Sequence, residues 1–219
     1  MGKLIVLEGL DGSGKTTQST LLLEMLRGEG LDVYPLSFPA YENESSSLVR
    51  MYLGGAMGDD PDAVNAYAAS MFYASDRYIT YLQSWKSAAE DPDKLILATR
   101  YTTANAYHQL AKLQREQWDG FLDWLYDFEF VKLGLPKPDT VLLLEMPEAI
   151  SSAQVQHRSE TTGSARDIHE RDGDYLSRCR EAAIYAADRL GWIRVPCVED
   201  GALLPREVIT RRLRDALSL

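Results

Sequence analysis

Residues 9–16 read Gly-Leu-Asp-Gly-Ser-Gly-Lys-Thr, a complete G-x-x-x-x-G-K-[ST] pattern. A strand-like apolar run, Leu4-Ile5-Val6-Leu7, leads into it, and a helix-like run over residues 16–29 leads out. This strand–loop–helix setting is what a phosphate-binding loop requires. Gly9, Gly12 and Gly14 allow backbone conformations closed to residues with a Cβ. The loop N–H groups then converge on an anion, and the following helix adds the positive end of its dipole. The expected phosphate-binding set is Gly9, Leu10, Asp11, Gly12, Ser13, Gly14, Lys15, Thr16 and Thr17. Lys15 is expected to reach the β- and γ-phosphates of a nucleotide, with the Thr16 hydroxyl holding Mg²⁺.

The rest of the chain alternates strand-like and helix-like segments. Strands are expected at 32–38, 94–98, 140–144 and 192–195. Helices are expected at 45–53, 104–114, 115–133, 147–157, 170–190 and 205–217. A long helix is expected to begin at Asp60-Pro61, an N-cap followed by proline, with apolar residues at helical spacing from Val64 to Trp85. Residues 159–164 are polar and hold Gly163, which reads as a mobile loop. Apolar strands separated by helices imply an α/β fold, a parallel five-stranded sheet with helices on both faces, in one domain over 1–219. Ligands of such sheets bind at the carboxyl ends of the strands. The loop at 9–16, Phe38-Pro39-Ala40-Tyr41, Thr99-Arg100-Tyr101 and Glu145 are therefore expected along one edge.

Charge and composition exclude several classes. A net charge of −10, from 23 basic and 33 acidic residues, argues against nucleic acid as a partner. Cys179 and Cys197 are too few for a disulfide framework or a zinc site, and His108, His157 and His169 lack metal-ligand spacing. No leader-like segment precedes the first strand and no apolar run approaches membrane-spanning length. A cytoplasmic location without a membrane partner is the expectation.

A phosphate loop alone does not separate a kinase from a GTPase or a motor, but no Asn-Lys-x-Asp guanine motif is present. Further segments are more specific. They are Phe38-Pro39-Ala40-Tyr41, Tyr73-Ala74-Ser75-Asp76-Arg77, Thr99-Arg100-Tyr101 with Asn105, Leu135-Pro136-Lys137-Pro138-Asp139, and Arg166-Asp167-Ile168-His169-Glu170-Arg171. In order and spacing, across about residues 3–195, the chain resembles the thymidylate kinase family. The resemblance implies a P-loop nucleoside monophosphate kinase fold with a short lid at about 158–169. It implies transfer of the γ-phosphoryl group of ATP to dTMP with Mg²⁺, and a homodimer.

The same resemblance suggests roles for single residues. Arg100 would hold the acceptor phosphate, since a guanidinium fork suits an oxyanion better than a point charge. Asp11 would contact the 3′-hydroxyl of the acceptor sugar. Tyr73 would stack on thymine, Arg77 would donate to the base O4, Asn105 would meet the remaining base edge, and Phe38 and Tyr41 would wall the sugar. Some family members carry a catalytic arginine where this chain has Gly12, and others carry it in the lid. That brings forward Arg158, Arg166 and Arg171, with Arg166 first by its place in the Arg-Asp-x-x-Glu segment. The catalytic set is then Lys15, Asp11, Arg100 and Arg166.

One departure stands out. The family's Asp-Arg-Tyr is Thr99-Arg100-Tyr101 here. Threonine keeps a hydroxyl but loses the charge that would orient metal-bound water. Either another carboxylate compensates, with Glu145 the candidate, or catalysis is weakened. Two other readings stay open, a deoxynucleoside kinase, which needs a general base for a free 5′-hydroxyl, and a nucleotide-binding homologue with weakened catalysis. Residues 118–130, rich in aromatics and acids, are either core or a homodimer face.

Overall fold

Leu4, Ile5, Val6 and Leu7 are all but inaccessible to water, because their strand has a neighbour on either side and helices over both faces. The computed structural model describes residues 2–162 and 167–219, with the side chains of 157–162, 170 and 171 left aside. The elements are β1 (Lys3–Glu8), α1 (Lys15–Gly28), β2 (Val33–Ser37), α2 (Ser47–Leu53), α3 (Ala66–Thr80), α4 (Lys86–Glu90), β3 (Leu95–Thr99), α5 (Thr102–Leu110) and α6 (Trp118–Tyr126). They continue as β4 (Thr140–Glu145), α7 (Glu148–Thr162), α8 (Ile168–Arg171), α9 (Gly173–Leu190), β5 (Ile193–Pro196), β6 (Val198–Glu199), β7 (Ala202–Leu203) and α10 (Arg206–Asp215).

Five strands run parallel in the order β2-β3-β1-β4-β5. Leu7 lies opposite Thr99 and Glu8 opposite Leu143, so the carboxyl ends share one edge. Alternate residues of β1 enter two cores, as the pleat demands. Leu4 and Val6 join Leu110, Phe121 and Leu125 under α5 and α6. Ile5 and Leu7 join Leu22, Leu26, Ile209 and Leu213 under α1 and α10. Each such side chain contributes roughly 1.5–3 kcal/mol on burial, which makes the two-sided core the main source of stability. The sheet expected from the sequence, five parallel strands with helices on both faces, is the one observed. Pro35 sits in β2, an edge strand, where a missing N–H is tolerated.

Some expected elements differ. Asp60-Pro61 opens only a single 3₁₀ turn, Pro61–Ala63. Tertiary bonds hold the carbonyls there away from a helix, because Pro61 accepts from the Tyr52 hydroxyl at 3.2 Å and Val64 from Lys112 Nζ at 3.0 Å. Asn65 is the real cap of α3, its Oδ1 accepting from the Ala68 N–H at 2.9 Å. α3 then widens into a π-turn at Tyr81–Trp85, and α6 into another at Asp127–Lys132. α7 runs on to Thr162, so residues 159–162 are helical where a loop was expected. Residues 163–166 of that segment lie outside the described residues. The antiparallel pair β6–β7 had no sequence signal, since two-residue strands carry no period. Within 118–130, Trp118, Phe121, Leu122 and Leu125 belong to the core. No helix among the described residues is long and apolar enough to cross a membrane.

Candidate active site

The loop joining β1 to α1 depends on left-handed glycines. Gly12 has φ 75°, and a Cβ there would stand 2.1 Å from the Ser151 carbonyl oxygen of α7. Backbone and space both demand glycine, and no arginine fits at this position with α7 seated as it is. Gly14, at φ 83°, is the N-cap of α1 and directs the helix N-terminus into the loop. Lys15 is buried, its ammonium donating to the Leu10 carbonyl at 2.8 Å and standing 3.8 Å from Asp11 Oδ1.

The chain leaves β3 through Arg100 at φ 63°, a left-handed conformation uncommon for a residue with a long side chain. Such strain costs about 1–3 kcal/mol and persists only where the surroundings over-determine it. Here the Arg100 N–H donates to the Leu7 carbonyl at 3.1 Å. Nη2 donates to Asp11 Oδ1 at 2.5 Å, and Nη1 lies 3.2 Å from the Tyr107 hydroxyl and 3.1 Å from His108 Nε2. Burial alone would raise the Asp11 carboxyl, but Arg100 and Lys15 outweigh it and hold it well below the usual carboxylate range. Burial pushes His108 well below the ordinary imidazole range, and Arg100 adds to that. A neutral His108 can accept from Arg100 through Nε2. The Thr99 hydroxyl donates to Ser19 Oγ at 2.8 Å, tying the strand end to α1.

Behind this cluster lies Glu8, which sequence reasoning missed. It is fully buried at the end of β1. Oε1 accepts from the Tyr101 N–H at 3.1 Å and from Thr103 Oγ1 at 2.6 Å, and Oε2 accepts from the Tyr107 hydroxyl at 2.8 Å. Burial raises its carboxyl, with Arg100, Thr103 and Tyr107 offsetting part of the rise. Glu8 thus holds Tyr107, and Tyr107 holds Arg100. The available signal was a single carboxylate closing an otherwise apolar buried strand.

A cavity of about 420 Å³ opens over the cluster, and its lining includes Asp11, Lys15, Thr16, Tyr73, Arg77, Arg100 and Asn105. Most of the residues expected from the sequence are therefore brought together. Phe38 forms part of the wall and packs against Trp85 and Tyr101, with ring centroids 6.4 and 5.9 Å away. Tyr41 lines the same cavity and is half exposed. Tyr73 meets the Tyr52 ring edge-on. Asp76 anchors the segment after β2, its carboxylate accepting from the Ala40 N–H at 2.8 Å and from Ser45 Oγ at 2.5 Å. At the inner end, Arg77 and Asn105 are buried and both bond to Glu129, a residue without any sequence signal. His108, Asp167 and His169 also line the cavity, although none was singled out for it.

Residues 7–199 match the family model for thymidylate kinase. The chain belongs to the thymidylate kinase family. It is 32% identical to the thymidylate kinase of Mycobacterium tuberculosis (strain ATCC 25618 / H37Rv) over 185 residues, 84% of either chain. It is 30% identical to a probable thymidylate kinase of Pyrococcus horikoshii over 162 residues, 74% of this chain and 73% of that one. Among solved structures, thymidylate kinase from Candida albicans superposes with a TM-score of 0.67 at 19% identity, covering 98% of this chain and 90% of the other, a likeness of fold. Membership makes the chain a nucleoside monophosphate kinase.

Of the residues expected at the site of this thymidylate kinase, Gly9, Leu10 and Ser13 of the loop do not line the cavity, and neither does Glu145. It ends β4, but Arg194 of β5 takes its carboxylate, Nη2 to Oε1 at 2.6 Å. It lines a different cavity, with Leu10 and Ser13. The register explains this, since Pro196 stands opposite Glu145 and Arg194 projects two residues earlier on the same face. Glu145 therefore does not compensate for Thr99. Arg166 lies outside the described residues, as do the side chains of Arg158 and Arg171.

Proposed function

We propose that this thymidylate kinase transfers the γ-phosphoryl group of ATP to dTMP in the cavity over Asp11, giving dTDP and ADP. One observation carries the assignment of residues. A single oxygen, Asp11 Oδ1, lies 3.8 Å from Lys15 Nζ and 2.5 Å from Arg100 Nη2. Lys15 belongs to the donor loop and Arg100 to the neighbouring strand end, so the phosphates they attract would meet across Asp11. An oxygen of the dTMP phosphate then attacks the γ-phosphorus. The bond from that phosphorus to the bridging oxygen breaks, and ADP leaves with the electron pair. Such a transfer needs alignment and charge neutralisation more than covalent help. Phosphate entry gives Lys15 and Arg100 anionic partners, and frees Asp11 to accept from the 3′-hydroxyl of dTMP.

The residues present fit Mg²⁺, which takes oxygen ligands and keeps several waters. Thr16 lines the cavity, and Asp11 and Asp167 are the carboxylates among its described lining residues. Thr16 and Asp11 would hold the ion, which when bound neutralises phosphate charge. A lid at 158–169 would close over the phosphates and bring Arg158, Arg166 or Arg171 to the transferred group. A deoxynucleoside kinase would instead need a base with a pKa near the working pH. Asp11 is held far below that and is engaged by Arg100.

We place the enzyme in the cytoplasm, in keeping with two buried free thiols, Cys179 and Cys197. We also assign it a homodimer. α3 exposes Tyr67, Met71 and Ile79 at helical spacing, continued by Leu82, an apolar stripe suited to a second copy. ADP release with ATP and Mg²⁺ tests the reading across a panel of nucleosides and nucleoside monophosphates. Turnover with dTMP and none with thymidine is expected. Preference for the nucleoside would transfer Arg100 to another role.

A further inference from the structure

Arg77 and Glu129 form an ion pair with side chains 2% and 0% exposed. It is bidentate, Nε to Oε2 at 2.7 Å and Nη2 to Oε1 at 2.5 Å. Taking two charges out of water is costly, and a well-packed apolar pair is often at least as stable. Stability therefore does not explain a pair placed against the cavity.

The remaining contacts of Glu129 do. Thr102 Oγ1 donates to Oε2 at 2.7 Å, and Asn105 Nδ2 donates to Oε1 at 3.3 Å. Asn105 Nδ2 is also 3.3 Å from the Ser70 carbonyl. A carboxylate and a carbonyl only accept, so the end of Asn105 that faces them has to be its NH₂. The amide oxygen is then the end left to the cavity, which Asn105 lines. Arg77 is fixed in the same way. Glu129 takes its Nε–Nη2 edge, which leaves Nη1, 3.4 Å from the Tyr101 carbonyl, as the donor on the other edge.

The inner end of the cavity thus sets a donor, Arg77 Nη1, beside an acceptor, Asn105 Oδ1. A thymine edge is the complement, since O4 accepts and N3–H donates. Cytosine is the reverse, with a 4-amino donor and an N3 acceptor, and would meet donor with donor and acceptor with acceptor.

We propose that Glu129 is a positioning residue for base selection. By clamping Arg77 and turning the Asn105 amide, it makes the site accept a 4-oxo pyrimidine and reject a 4-amino one. The inference rests on the dTMP reading and names the residue that enforces it. Glu129 reaches the site from the π-turn Asp127–Lys132, one of the irregular turns that recur at functional sites.

The test compares kcat/KM for dTMP and dCMP, with ATP as donor, in the wild type, Glu129→Gln and Glu129→Asp. Glutamine has nearly the same volume but offers an NH₂ as well as a carbonyl. It no longer dictates which way Asn105 faces and no longer balances Arg77. The wild type should favour dTMP by roughly a hundredfold or more, as expected of a site built on directed hydrogen bonds. In Glu129→Gln that ratio should fall by about tenfold or more, chiefly through KM for dTMP, with KM for ATP unchanged. A purely structural role would lower both nucleotides together and leave the ratio alone. Should Glu129→Gln fail to fold, Glu129→Asp decides, because its shorter carboxylate cannot span Arg77 and Asn105 together and should also lower the ratio. An unchanged ratio in a folded variant overturns the inference. A wild type that accepts dCMP as readily as dTMP, or accepts neither, overturns the thymidylate reading beneath it.

Discussion

Lowering the pH from 7 to 5 should destabilise the ligand-free enzyme through two buried imidazoles. His108 and His169 stack with ring centroids 5.3 Å apart, and both are buried. Burial is the first cause of depression in both. Around His169, Lys112 and Arg100 add to burial while Asp11 opposes it, and the ring is brought down to about 3. Around His108, Arg100, His169 and Lys15 add and Asp11 opposes. In the unfolded chain a histidine takes up its proton near pH 6.5. From there down to about pH 3 the unfolded chain binds more protons than the folded one, so stability falls as pH falls. At ~1.4 kcal/mol per pH unit per proton, the step from 7 to 5 costs about 2 kcal/mol for His169, and His108, depressed in the same direction, adds to the loss. Asp11 stays out of this window, because a depressed carboxylate loses its contribution only below the ordinary carboxylate range. Glu8, raised by burial, acts in the opposite sense and trims the loss at the acid end. Urea melts measure the effect. With a slope of about 2 kcal/mol/M the midpoint should fall by about 1 M or more. His169→Gln, neutral throughout, should remove about 1 M of that fall. A wild-type midpoint that is equal at the two pH values, or a variant as acid-sensitive as the wild type, would refute the argument.

Three further outcomes are expected. Arg100→Ala should raise KM for dTMP by about tenfold or more with little change in KM for ATP, since the guanidinium is assigned to the acceptor phosphate. Equal effects in steady-state kinetics would move Arg100 to the donor side. Gly12→Ala should weaken binding of an ATP analogue and lower the melting temperature, because left-handed φ costs a Cβ residue roughly 1–2 kcal/mol before the contact with Ser151 is counted. Thr99→Asp should raise kcat while preserving the fold. The new carboxylate can accept from Ser19 in place of the present bond and would stand near Lys15 and Arg100, so an unchanged kcat would mean that the site works without it.

The sheet and most of the cavity were legible because they rest on local signals. The glycine–lysine–threonine loop, the apolar strands and the spacing of Tyr73 and Arg77 are written in short windows of sequence. The helix start at Asp60-Pro61 was misplaced because Tyr52 and Lys112, distant in sequence, hold the carbonyls that would have continued the helix. Glu145 was misassigned because strand order and alternation, not chain order, decide where a strand-end side chain points, and Arg194 stands on its side. Glu8 and Glu129 escaped for a related reason. A buried carboxylate is explained only by the donors that fold around it, and those of Glu129 come from two elements, α3 and α5, distant in sequence from the turn after α6 that carries it.

The position of β1 has a consequence for biosynthesis. Ile5 pairs with Leu97 on one side and Thr140 on the other, so the strand made first becomes the middle of the sheet and receives its neighbours late. At a ribosomal rate of about 5–20 residues per second, the run Leu4-Ile5-Val6-Leu7 would wait on the order of ten seconds for its second partner. Until then it presents at least one bare hydrogen-bonding edge and apolar side chains on both faces, the features that chaperones bind and that drive nascent chains together. The yield of active enzyme in a cell should therefore depend on chaperone supply and translation speed more steeply than the stability of the finished sheet would suggest.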